Sequence, residues 1–210
     1  MGNPMSTPTH EQKLSAPDHV TWEYVSLLAA AQQMAEDHRP PINHLVQEAY
    51  LVHLRNLAEF FDKGVTAFKE NQGVPPARDR DNIYAVDLCR SVKWDAKPFS
   101  PKTRLRRAID KTLSHMTYSR DLSSGFSEIG VAFHGPSHVH GTLMLVRRAW
   151  EKFLDSLDPQ YTESVAQWLD THAEHMGVSL GSFYTQFDQK AKHWQHCADW
   201  HLNETPDGPI

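Results

Sequence analysis

Two cysteines in 210 residues, Cys89 and Cys197, leave this chain without a CxxC pair or a disulfide framework. With six tryptophans and no paired cysteines, a reducing cytoplasm is the expected compartment. No apolar run reaches the roughly 20 residues that a membrane-spanning helix needs. The opening MGNPMSTPTHEQKLSAP also lacks the apolar centre of a signal peptide. An excess of positive charge is missing as well. Lys and Arg number 21 against 26 Asp and Glu, a formal net charge of −5, which excludes a molecule-wide basic field for nucleic acid. DNA binding is not expected, although a local basic patch for RNA stays possible. The period-two alternation of half-buried strands is missing too, as are a GxSxG elbow, a P-loop, a Rossmann fingerprint, HExxH and any internal repeat.

What is present is helical periodicity, an apolar fraction of 40% and 14 histidines. The expected fold is all-α, a bundle of about six helices forming one domain over residues 18–202, between a disordered leader (1–17) and a disordered tail (203–210). Asp18 offers an N-cap for a helix over 18–37. Pro40-Pro41 opens a second helix that runs to Lys63 and stops at Gly64. The stretch 70–80, with Gly73, Pro75 and Pro76, reads as a loop, followed by a short helix over 81–92. Ser100-Pro101 places a capping hydroxyl before a first-turn proline and starts a helix to about Tyr118. Further helices are expected over 139–157, over 159–175 (Asp158-Pro159 as cap, Gly177 as stop) and over 180–201.

At about 100° per residue, Leu45, Val46, Ala49, Tyr50, Val52, Leu54, Leu57, Phe60 and Phe61 cover more than half of the second helix. That breadth predicts a central helix packed on the Ser100 helix. Its narrow polar face carries His44, Glu48, Arg55 and Glu59, with Arg55 and Glu59 spaced as an i,i+4 ion pair. His53 and Asn56 interrupt the apolar arc. Leaving either buried without a partner would cost about 1–3 kcal/mol, so each calls for a hydrogen-bonding neighbour. In the Ser100 helix, Leu105, Ala108, Ile109, Leu113 and Met116 form the core stripe. His115 lies at its border, and Lys102, Arg104, Arg106, Arg107, Asp110 and Lys111 form a solvated charged face. Arg120, near the apolar sector, suits a carboxylate such as Glu48, Asp87 or Asp95. His53, Arg55, Asp87, His115 and Arg120 are therefore the candidate catalytic residues, with Glu48 and Asn56 as site-forming ones.

The string Glu48-Ala-Tyr-Leu-Val-His53-Leu-Arg55-Asn56-Leu-Ala-Glu-Phe60-Phe61 resembles a motif of a family of uncharacterised bacterial all-helical proteins. So do Asp81…Ala85-Val86-Asp87 with Trp94, and Ile109-Asp110-Lys111 through His115 to Arg120. The likeness spans residues 42–155 and implies fold more than function. The segment ending in His115-Met-Thr-Tyr is also similar in shape and position to the Arg-polar-x-x-x-His motif of HEPN domains. These are helical modules of toxin–antitoxin and phage-defence systems, many of them metal-independent ribonucleases. That likeness implies a HEPN-like core with a C-terminal helical extension. The positions that would hold Arg and Asn are Asp110 and Lys111, and an aspartate would repel the scissile phosphate where a cation is needed.

Two histidine groups invite a metal reading: His134, His138 and His140, and His193 with Cys197 one turn later. Neither matches a recognised zinc pattern, so no cofactor and no metal are expected. A hydrolase using His53, His115 and Asp87 around an ion is a further possibility. The preferred reading is a non-catalytic interaction or regulatory module. It would bind a protein partner or a second copy through aromatic surface from Trp150, Phe153, Trp168 or the last helix. The alternative is a HEPN-like ribonuclease or a degenerate relative.

Overall fold

The structure, a computed structural model, describes residues 8–35, 42–75, 82–103, 106–107, 109–110, 113 and 136–191, without the side chains of 42–44, 136–138, 140 and 188–191. It is all-α. The helices are α1 (His10–Met34), α2 (Ile42–Asp62), α3 (Val65–Glu70), α4 (Pro136–Leu154), α5 (Pro159–Met176) and α6 (Leu180–Ala191). Helical backbone also occurs at Arg106, Arg107, Ile109, Asp110 and Leu113. Among the described residues there is no strand, only an isolated bridge between Cys89 and Leu157. None of the described helices is long and apolar enough to cross a membrane.

α1 starts at His10 rather than Asp18, so part of the expected leader is folded. The cause is a reciprocal capping box: Gln12 N–H donates to Thr9 Oγ1 at 3.2 Å, and Thr9 N–H to Gln12 Oε1 at 2.8 Å. Pro17, which suggests a helix start, sits inside the helix and is buried. An interior proline removes a backbone donor and costs ~3 kcal/mol. One turn further on, the buried Thr21 hydroxyl donates to the Pro17 carbonyl at 2.6 Å.

α1 shares the centre of the bundle with α2, which packs against α1, α4 and the segments Ala85–Asp87 and Lys97–Phe99. Val25, Leu27, Leu28 and Ala31 are fully enclosed, and α1 packs against α2, α4 and α5. Its apolar residues come as a run, Leu27-Leu28-Ala29-Ala30-Ala31, which distributes burial around the axis. α2 buries Tyr50, Leu51, Leu54, Leu57, Ala58 and Phe61, whereas Leu45 and Val52 are 64% and 42% exposed. α4 shows a single clean stripe, Val139, Leu143, Val146, Trp150 and Phe153, at three- and four-residue spacing.

An aromatic cluster fills the centre. Phe61 meets Trp94, Phe99 and Phe153 with ring centroids 5.7–6.2 Å apart, and Trp94 Nε1–H donates to the Phe61 carbonyl at 3.0 Å. That carbonyl belongs to the last turn of α2, where helical partners run out, so Trp94 serves as core and cap together. Each such side chain contributes roughly 1.5–3 kcal/mol by burial. Trp150 and Phe153 belong to this core and are not surface.

Several expected boundaries shift. The short helix over 81–92 is one 3₁₀ turn, Ala85–Asp87, whose flanking strand-like segment pairs with the end of α4: Arg90 N–H donates to Ser156 O at 3.0 Å and Asp158 N–H to Leu88 O at 2.9 Å. Ser100 ends a second 3₁₀ turn, Lys97–Phe99, and the helical residues that follow are capped by Thr103, whose Oγ1 accepts from Arg106 N–H at 3.2 Å. Gly64 does stop α2, in a left-handed conformation at φ 76° that glycine adopts freely, yet α3 follows at once. α5 has the expected Asp158 cap and the left-handed Gly177 stop at φ 67°. The expected helix from Leu180 is described to Ala191, and its stretch to 201 lies outside the described residues.

Candidate functional site

α1 presents two carboxylates to its neighbours, and each meets a histidine. On the α2 side, Glu23 Oε2 lies 2.7 Å from His53 Nδ1, and Asn56 Nδ2–H donates to Glu23 Oε1 at 3.1 Å. The two polar residues that break the α2 arc thus share one acceptor. They stand three apart, on one helical face, and Glu23 faces that edge from α1. On the α5 side, His172 Nε2 lies 2.8 Å from Asp18 Oδ1. Its ring stacks on Trp168 at 5.4 Å and meets the edge of Trp22 at 5.2 Å.

Beside Glu23 a groove of about 280 Å³ opens between α1 and α2. Ala16, Val20, Leu57, Phe60 and Ile83 form its apolar lining, and His19, Glu23, Asn56 and Asn82 supply the polar groups. Glu23 and Asn82 carry no signal in the α2 periodicity, so sequence reasoning did not single them out.

Of the other candidates, Arg55 Nε pairs with Asp110 at 3.2 Å, not with Glu59, across an exposed contact. Glu59 instead approaches Arg106 at 3.6 Å and Lys63 at 4.0 Å. Arg106, expected in solvent, is only 7% exposed, with its Nε 3.1 Å from Asp110. Nearby, burial pushes the Asp62 carboxyl above its ordinary range, against the opposing pull of Arg106. Asp87 is buried and accepts Tyr84 N–H at 2.8 Å, capping its own 3₁₀ turn. Glu48 is exposed on the first half of α2. His115 and Arg120 lie outside the described residues, as do His134, His193, Cys197 and the side chains of His138 and His140. Convergence of His53 with His115 is therefore not on view. Among the described residues no three His, Cys, Asp or Glu side chains gather as a metal set.

Burial, and secondarily Asp87, push the Cys89 thiol up, which disfavours the thiolate. At the opposite side of α1, Tyr24 stacks on Trp150 at 4.0 Å and its hydroxyl meets that of Tyr184 at 2.8 Å. Arg147 covers the Tyr184 ring at 4.2 Å and pairs with Glu151 at 2.8 Å. Burial holds the Tyr24 phenol up at about 12, so this pair stays neutral and structural.

No family model, no curated relative and no solved structure matches this chain.

Proposed function

We propose that this protein is a non-catalytic helical interaction module whose outer α2 face binds a protein, a second copy of the chain being the simplest partner. One observation carries the reading: Leu45 and Val52 stand exposed seven residues apart on α2, while the opposite face of the same helix is fully buried. Seven-residue spacing is that of a helix–helix seam, and the exposed Glu48 and Arg55 beside it suit a polar rim. The described groups with catalytic potential support the same reading by their engagements. His53 is tied to Glu23, Arg55 to Asp110, and Asp87 to its own backbone. A cytoplasmic location fits a chain with this cysteine usage.

Sedimentation equilibrium at micromolar concentration tests the proposal. Wild type is expected to self-associate and the Leu45→Asp/Val52→Asp variant to be monomeric; a strictly monomeric wild type removes the second-copy partner. The HEPN-like ribonuclease is the competing reading, favoured only by the His115 motif, and the two arginines beside it, Arg55 and Arg106, are already engaged by the carboxylates of Asp110 and Glu59. Total RNA incubated with chelator should stay intact. Cleavage that disappears in His115→Ala would replace the interaction module with the nuclease.

A further inference from the structure

The groove between α1 and α2 adjoins the exposed α2 seam, Asn56 standing one turn from Val52, and its own chemistry selects a ligand. We propose that it binds a small amphipathic organic cation, an ammonium carried on an apolar body, with Glu23 as the charge partner.

The argument starts from the carboxylate. An ionised carboxylate accepts about four hydrogen bonds. Glu23 uses one from Asn56 and one at His53, leaving acceptor capacity beside the groove that it lines. His53 and Asn56 each hold one oxygen of the carboxylate and so fix its orientation, an arrangement that lowers the cost of ordering the acceptor when a ligand arrives.

The rest of the lining sets sign and shape. Among the described residues no Lys or Arg lines the groove, and Glu23 is the single carboxylate, so from these residues an anion meets a like charge with no compensating cation. Ala16, Val20, Leu57, Phe60 and Ile83 offer an apolar surface to the body of a ligand, and Phe60 adds a ring face for a cation or an aromatic. Asn56, Asn82 and His19 supply further polar atoms for the ammonium's remaining donors. At about 280 Å³ the space falls just below the ~300–1,000 Å³ of drug-sized sites, so the ligand is a fragment of one ring or a short chain.

The test uses the full chain labelled with ¹⁵N and titrated to millimolar phenethylammonium, with phenylacetate as the charge-reversed probe. Saturable shifts are expected at the amides of Val20, Glu23, Asn56 and Ile83 with the amine and not with the acid. Glu23→Gln, which keeps the shape and one acceptor oxygen, should weaken the amine by about tenfold, or 1.4 kcal/mol. Ile83→Ala should weaken it by a smaller factor through lost apolar contact. Equal responses to both probes, no saturable shift with the amine, or an unchanged affinity in Glu23→Gln would each overturn the proposal. The amine-against-acid comparison on wild type stands even where Glu23→Gln loosens the α1–α2 contact.

Discussion

The two flanks of α1 use the same pair of groups at almost the same separation, yet they are built differently. His172 meets Asp18 at 2.8 Å and His53 meets Glu23 at 2.7 Å. The first histidine is 10% exposed and lies between Trp168 and Trp22; the second is 21% exposed, has no ring against it among the described residues and shares its carboxylate with Asn56. Length alone therefore says little about what each contact contributes. A hydrogen bond exchanged against water is worth about 1 kcal/mol, whereas apolar surface and ring packing removed from water add to it. The α5 flank is a fastener, and the α2 flank holds a carboxylate ready beside an open groove.

The largest effect expected follows from that contrast. His172→Ala empties a buried site between two tryptophans and leaves Asp18 without its partner, at a cost of about 2–4 kcal/mol. His53→Ala, at a more open contact, should cost about 1 kcal/mol or less. Urea denaturation of the two variants side by side checks the ranking. Equal losses would mean that the rings around His172 add nothing, and the contrast between the flanks would collapse.

A phenol pair at a third contact of α1 extends the comparison to groups that must stay neutral. Burial raises the Tyr24 pKa from 10.0 to about 12 in the folded protein. The folded value exceeds the unfolded one, so the neutral phenol's contribution is complete below pH 10 and is lost as pH rises through about 12. The swing is on the order of 2–3 kcal/mol. Tyr24→Phe should flatten stability against pH in that alkaline window relative to wild type, while costing less at neutral pH than His172→Ala. Parallel curves for the two proteins between pH 10 and 12 would show that Tyr24 ionises as freely folded as unfolded.

How much of this was legible in the sequence depends on the kind of signal. The all-α class, the Asp158 and Gly177 boundaries of α5 and the need of His53 and Asn56 for partners follow from local rules of period, capping and polar burial. The share of the centre that α1 takes does not. An apolar arc wider than half a turn on α2 is also what a half-exposed helix with an outer seam looks like, and Leu45 and Val52 belong to that seam. Pro17 marks a helix start by propensity, and only the Thr9–Gln12 box, readable as T-x-x-Q, shows that the helix begins earlier. Glu23 and Asp18 look like ordinary solvated acids until a neighbouring helix is placed beside them. Tertiary partners chosen across 30 and 154 residues leave no local trace.

The smallest effect lies on the outer side of α2, where Arg55 reaches Asp110. Both side chains are nearly half exposed, 48% and 41%, and Asp110 already holds the buried guanidinium of Arg106 at 3.1 Å. Water and salt screen such a contact, and two long side chains lose freedom in making it. Arg55→Ala should therefore cost no more than about 0.5 kcal/mol at low ionic strength, shrinking toward zero in molar salt. A larger loss that persists in high salt would mean that Arg55 packs its stem against α2 and helps to place Asp110. The outer side of α2 would then be a second fastener comparable to His172, and the seam at Leu45 and Val52 would have less freedom to accept a partner.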